Sequence, residues 1–209
     1  MARVYIPDEQ AMFAYLRGRL DGSGFEQSRA ALVFVRRIYA GQDRAGDTSS
    51  IIHPLSMACD AIACKGVTDE IIATMLLHDV CTNWNIPVSA LPVNDIVKRA
   101  INLMMICPSR CKDTIETKQL CYRELLNSKE AVICKAFDSY ANLNDMVDTL
   151  NEEIAIKKDI RETHALLMPI LKEAKYIYPE LSDMLHIIRI ALKRTLIMMA
   201  AYHKVNLKN

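Results

Sequence analysis

The sequence predicts an all-α protein, a bundle of about eight to ten helices, and three observations carry that reading. Apolar residues recur at three- and four-residue spacing along most of the 209 residues. The alternation of a half-buried strand is nearly absent. Glycines and prolines fall at places that separate the periodic segments.

The expected helices run at about 8–20, 25–41, 53–65, 69–84, 94–106, 113–127, 129–148, 152–178 and 181–203. Gly22 and Gly24 break the first pair, and Gly41 to Ser50 reads as a polar loop. Pro54 sits in the opening turn of the third helix, where its missing N–H costs nothing, and Gly66 stops that helix. Thr68 has the side chain of an N-cap, and Asp69 and Glu70 suit the positive end of the following helix. Pro87, Pro92 and Pro108 mark further breaks. Pro169 falls inside a periodic segment and predicts a kink near it or a break just before it. The last helix is apolar on more than one side, which fits a core-packing element first and a homo-oligomer contact second.

A chain of 209 residues suits one domain and is long enough to bury a substantial core. Lys and Arg total 26 against 25 Asp and Glu, so there is no global basic field and no nucleic-acid partner is expected. The opening MARVYIPDEQ lacks a long apolar run with a cleavage site, and stretches such as TLIMMAAY are too short to span a bilayer. The expectation is a cytoplasmic protein without a membrane partner. Seven cysteines, unevenly spaced and without a CxxC pair, read as buried or partly buried thiols rather than a disulfide framework or zinc knuckle.

Three segments carry chemistry. DEIIATMLLHDV places His78 and Asp79 together near the end of a very apolar helix. Adjacent helical residues diverge by about 100°, yet a His and a shorter Asp still converge on one ion between them. Alone, such a dipeptide is more often a surface pair or a capped core histidine. In SKEAVICKAFDSYANLNDM, Lys135, Asp138, Asn142 and Asp145 follow at spacings that put them on one stripe of a largely apolar helix. A buried carboxylate needs a cation nearby, and either a metal or Lys135 at i, i+3 would serve. In SSIIHPLSMA, His53 precedes Pro54 at a helix start. Two His and two Asp make a mixed nitrogen and oxygen donor set suited to manganese, iron, zinc or nickel.

The order of these residues, His53, then His78 and Asp79, then Asp138, resembles the HD-domain phosphohydrolase superfamily. It is most similar to the hydrolase domain of the RelA/SpoT proteins and their stand-alone small alarmone relatives. GQDRAGDTSSIIHPLSMA resembles that family's GQ-x-R-x-SG-x-x-YI-x-HP-x-x-VA segment, IIATMLLHDV its AALLHDV segment, and CKAFDSYANL its K-x-ADR-x-HN segment. The resemblance spans about residues 25–150, with compatible helices over 151–209, and implies one HD-type hydrolase domain over 1–209.

The resemblance further implies one Mn²⁺, or another divalent metal, bound by His53, His78, Asp79 and Asp138. It implies that Arg44 meets phosphate, that Lys135 and Asn142 line a nucleotide site, and that Gln42 serves the loop. The implied reaction is removal of the 3′ pyrophosphate of a guanine nucleotide, ppGpp or pppGpp, by metal-activated water. The family's Glu-Asp couple after the HD pair is here Thr82 and Asn83, which orient water but take no proton at neutral pH. The Arg after the third-motif Asp is Ser139. Proton removal would then fall to the metal or to a carboxylate such as Asp145. Hydrolysis of another nucleotide, or metal and nucleotide binding without turnover, are the competing expectations.

Overall fold

A computed structural model describes residues 8–40, 51–109, 114–145 and 153–207. Among them there is no strand, and the protein is all-α as its periodicity predicts. No helix of the described residues is long and apolar enough to cross a membrane. The chain divides into two compact units, Met1–Ile101 and Asn102–Asn209, and each is taken by itself.

The first unit holds α1 (Glu9–Ser23), α2 (Glu26–Tyr39), α3 (Ile52–Ile62), α4 (Asp69–Leu77), α5 (Val80–Trp84) and the start of α6 (Asp95–Ser109). Its centre is α4. The run Ile71 to Leu77 has no charged side chain and is buried throughout, so it must be covered on all sides. α2 and α3 pack on α4, and α1 packs on α2 and α3. Gly24 alone makes the first break, with Gly22 remaining inside α1. It adopts φ 68°, and the next N–H, that of Phe25, returns to the Leu20 carbonyl at 3.1 Å.

The start of α2 is capped from a distance. Its N-cap residue, Phe25, offers no side-chain acceptor. The carboxylate of Asp69, at the start of α4, instead accepts from the N–H of Gln27 at 2.8 Å and of Ser28 at 2.7 Å. These are two of the donors that a helix start leaves unpaired. The fully buried Ser28 hydroxyl lies 2.6 Å from Asp69 Oδ1 and 2.7 Å from the Asp69 carbonyl, the proton being shared. Gln27 in turn accepts from the N–H of Asn94 at 2.6 Å, and Asn94 caps α6 through the N–H of Val97 at 3.1 Å. One polar cluster thus ties together the starts of α2, α4 and α6. Thr68 caps α4 as expected, accepting from Ile71 at 3.4 Å.

The expected helix over 69–84 is divided where the His-Asp pair stands. α4 ends at Leu77 and α5 begins at Val80, with Asp79 at φ −98°, ψ −8°. α5 then stops at Asn85, which takes φ 51°.

The second unit holds the rest of α6, α7 (Ile115–Glu124), α8 (Lys129–Asp145), α9 (Glu153–Glu162), α10 (Met168–Ile177) and α11 (Ser182–Tyr202). α8 is its core helix, packed by α10 and α11, with Ala131 to Cys134 and Ala136 to Ser139 buried. Ser128 starts it by accepting from Ala131 at 3.2 Å. α11 buries Met184, Leu185, Ile188, Leu192 and Leu196 and leaves Ile187, Ile197 and Met198 exposed, so core packing accounts for one of its apolar sides.

The irregularity expected at Pro169 is a π turn, Thr163–Leu167, between α9 and α10. Proline cannot donate to the carbonyl four residues back, and a widened turn just before it lets the helix run on.

Cys59, Cys64, Cys81 and Cys134 are free, whereas Cys121 takes part in a disulfide. The expectation of thiols throughout is corrected at that residue, since irregular spacing argues against a framework but not against a single bond. Burial pushes the Cys59 thiol up to about 12 with help from Asp60, and raises Cys64 and Cys81 as well. These thiols stay protonated and are poor nucleophiles.

The shared cap yields a test. Asp69→Ala strands two backbone donors, while the buried Ser28 hydroxyl keeps the residue-69 carbonyl, and should cost about 3 kcal/mol in urea unfolding. Ser28→Ala keeps the carboxylate on the helix start and should cost about 1 kcal/mol. Equal costs would show that the carboxylate is not the principal partner.

Candidate metal centre

In the first unit, the connection between α3 and α4 runs from Ala63 to Thr68, short enough to return the chain antiparallel. Gly66, at φ 85°, turns it. The start of α3 therefore lies beside the end of α4, which is why His53 and His78 meet. Their ring centroids are 5.4 Å apart with planes tilted by 52°, and the Nε2 atom of each is shielded from water.

The proton on His78 follows from its surroundings. Nδ1 lies 2.9 Å from the Met75 carbonyl, which only accepts, so Nδ1 carries the hydrogen. In the neutral ring Nε2 then holds a lone pair, and it stands 3.2 Å from Asp79 Oδ2. Two electron-rich atoms at that distance are stable only with positive charge between or upon them, either a proton on Nε2 or a cation. A proton on Nε2 makes the contact an ion pair, and a cation shared with the neighbouring imidazole is the other arrangement these donors allow. A carbonyl that fixes the far nitrogen is the usual support of a ligating histidine.

The residues in the family's Glu-Asp places behave differently. Thr82 and Asn83 are exposed, and the Thr82 hydroxyl donates to the Asp79 carbonyl at 3.0 Å.

In the second unit, Asp138 is buried on α8. Lys135 Nζ donates to its Oδ2 and Asn142 Nδ2 to its Oδ1, each at 2.8 Å. The stripe read from the sequence is real, and Lys135 and Asn142 grip both oxygens of the carboxylate from one turn either side. Each oxygen keeps another acceptor direction for a further partner. Asp145, at the end of α8, is exposed.

Arg44 and Gln42 lie outside the described residues.

No signal in the sequence marked the groups on α9 that flank this stripe. Tyr122, Lys135, Ser139, Asn142, Asp159 and Thr163 line a polar cavity of about 70 Å³. Burial raises the Asp159 carboxyl above the usual carboxylate range; Glu162 and Asp138 add to this, and Lys135 and Lys158 oppose it. Pro169 announced an irregularity nearby but not which side chains line this wall.

That shift has a testable sign. A carboxyl raised in the folded state favours folding below its unfolded pKa, and this contribution is lost as pH rises through the folded value. At pH 7 the ionised Asp159 is therefore a cost, and Asp159→Asn should raise Tm there. The gain should shrink below the ordinary carboxylate range, near pH 4. A gain independent of pH would assign it to packing instead.

Comparison with protein-family models, with curated proteins and with solved structures finds no match to this chain.

Proposed function

We propose that the protein is a divalent-metal phosphohydrolase of the HD type, acting on a nucleotide. Its first-choice substrate is a guanine nucleotide carrying a 3′ pyrophosphate. The observation that carries this reading is the His78 ring, held by the Met75 carbonyl so that its second nitrogen meets Asp79 beside His53. His53, His78 and Asp79 of the first unit are proposed as ligands of the metal ion, and Asp138 of the second unit is proposed as the fourth.

Neutral imidazoles and carboxylates without thiolate suit Mn²⁺ and its neighbours, so the residues fit the metal that the resemblance implies. A divalent ion in that set supplies a Lewis acid that polarises a phosphoryl oxygen and acidifies water. The chain's own part is to orient the donors. The Met75 carbonyl fixes the His78 tautomer, and Lys135 and Asn142 fix the Asp138 carboxylate. This makes Lys135 and Asn142 positioning residues first and nucleotide contacts second. Arg44 is proposed to meet phosphate, because its loop leads directly to His53.

A second reading is favoured by one observation. The Thr82 hydroxyl is spent on a backbone carbonyl and Asn83 is exposed, so neither stands in for a general base. On that reading the protein binds metal and nucleotide with little or no turnover.

Metal content decides the first step. Purified protein should hold about one Mn²⁺ per chain by elemental analysis. The ion should stabilise folding by about 2.7 kcal/mol at a hundredfold excess over its dissociation constant. His78→Ala and Asp138→Asn should each lose the ion, and retention by either would break the proposed set.

Turnover decides the second step. Wild type should release pyrophosphate from ppGpp slowly in Mn²⁺. Thr82→Glu with Asn83→Asp should raise the rate about 10²-fold or more, the contribution of a positioned base. No gain in a folded, metal-loaded double variant would favour binding without turnover.

A further inference from the structure

α1 and α2 form an antiparallel pair whose outer stripes enclose a groove of about 500 Å³, a volume in the range of small-molecule sites. Phe13 and Arg17 line it from α1, and Arg29, Leu32, Val33, Arg36 and Arg37 from α2. The i, i+4 and i, i+7 spacings put these residues on facing sides of the two helices.

Four guanidinium groups share the groove with one carboxylate, Asp21. That carboxylate is committed at one end, 3.1 Å from Arg29 and 4.0 Å from Arg17. Arg36 and Arg37 lie seven and eight residues along α2 from Arg29, about 11 Å away. Among the described residues no carboxylate pairs with either of them. Arg36 instead lies over the Phe13 ring, 4.3 Å from its centroid. A stacked guanidinium keeps its fork of N–H donors, the geometry that suits phosphate. Val33 leaves an apolar side chain 57% exposed in the same groove. The balance is thus surplus positive charge at one end and uncovered apolar surface beside it.

We propose that this groove is a second ligand site, for a nucleoside polyphosphate, with phosphates on Arg36 and Arg37 and the base against Phe13 and Val33. The volume and apolar wall ask for more than an inorganic anion, and the charge asks for phosphates. None of these residues belongs to the proposed metal centre, and the inference does not rest on it.

The test is calorimetry with GTP, ATP and tripolyphosphate in the presence of a chelator, on wild type and on His78→Ala, so that the metal centre contributes nothing. At least one nucleotide should bind both proteins alike. Arg36→Ala with Arg37→Ala should weaken it at least tenfold, and both side chains are exposed, so the core is untouched. Tripolyphosphate should bind at least tenfold more weakly than the nucleotide. The proposal is overturned if neither nucleotide binds, if the double variant binds as well as wild type, or if tripolyphosphate matches the nucleotide. The last result would make the groove a charge patch, open to any acidic segment.

Discussion

A helix with no charged side chain between Glu70 and His78 has to be covered on every side, and the first unit is organised by that requirement. α2 and α3 supply the cover for α4. Because the turn from α3 to α4 is short, covering α4 also fixes which end of α3 lies beside which end of α4. His53 and His78 are neighbours as a consequence of packing, before any ligand is considered. The polar cluster around Asp69 secures the other end, where three helix starts would otherwise leave buried donors unpaired.

The division of the helix at His78 and Asp79 joins packing to chemistry. An uninterrupted helix would give every backbone group an internal partner. Here the Met75 carbonyl, three residues back, receives the imidazole Nδ1–H. The ring is thereby held with its Nδ1–H on that carbonyl and its Nε2 toward the Asp79 carboxylate. In the second unit Asp138 is prepared in a similar way, by donors one helical turn on either side. Side chains held like this lose little freedom when they take a ligand.

Local spacing made much of this legible in the sequence. The Lys135, Asp138 and Asn142 stripe needs only the helical repeat and the Thr68 cap only its neighbours, whereas the meeting of His53 with His78 was expected from the family resemblance and not from spacing. The sequence did not separate a metal from Lys135 as the partner of Asp138, and the contact observed is the lysine. What stayed hidden depends on partners distant in the chain. Asp69 reads as an ordinary first-turn acid until Ser28, 41 positions away, is brought to it. The arginines of α1 and α2 gain meaning only once the two stripes are set opposite each other. Pro169 announced an irregularity without its kind, and the odd cysteine count concealed the bond at Cys121.

The central claim is that His53 and His78 share one divalent ion, and pulsed electron paramagnetic resonance on the Mn²⁺-loaded protein tests it most directly. Hyperfine coupling to nitrogen counts the imidazoles on the ion. The account predicts two coordinated histidine nitrogens in wild type and one in His53→Ala. A manganese signal with no coordinated imidazole, or one left unchanged by removing His53, would contradict it.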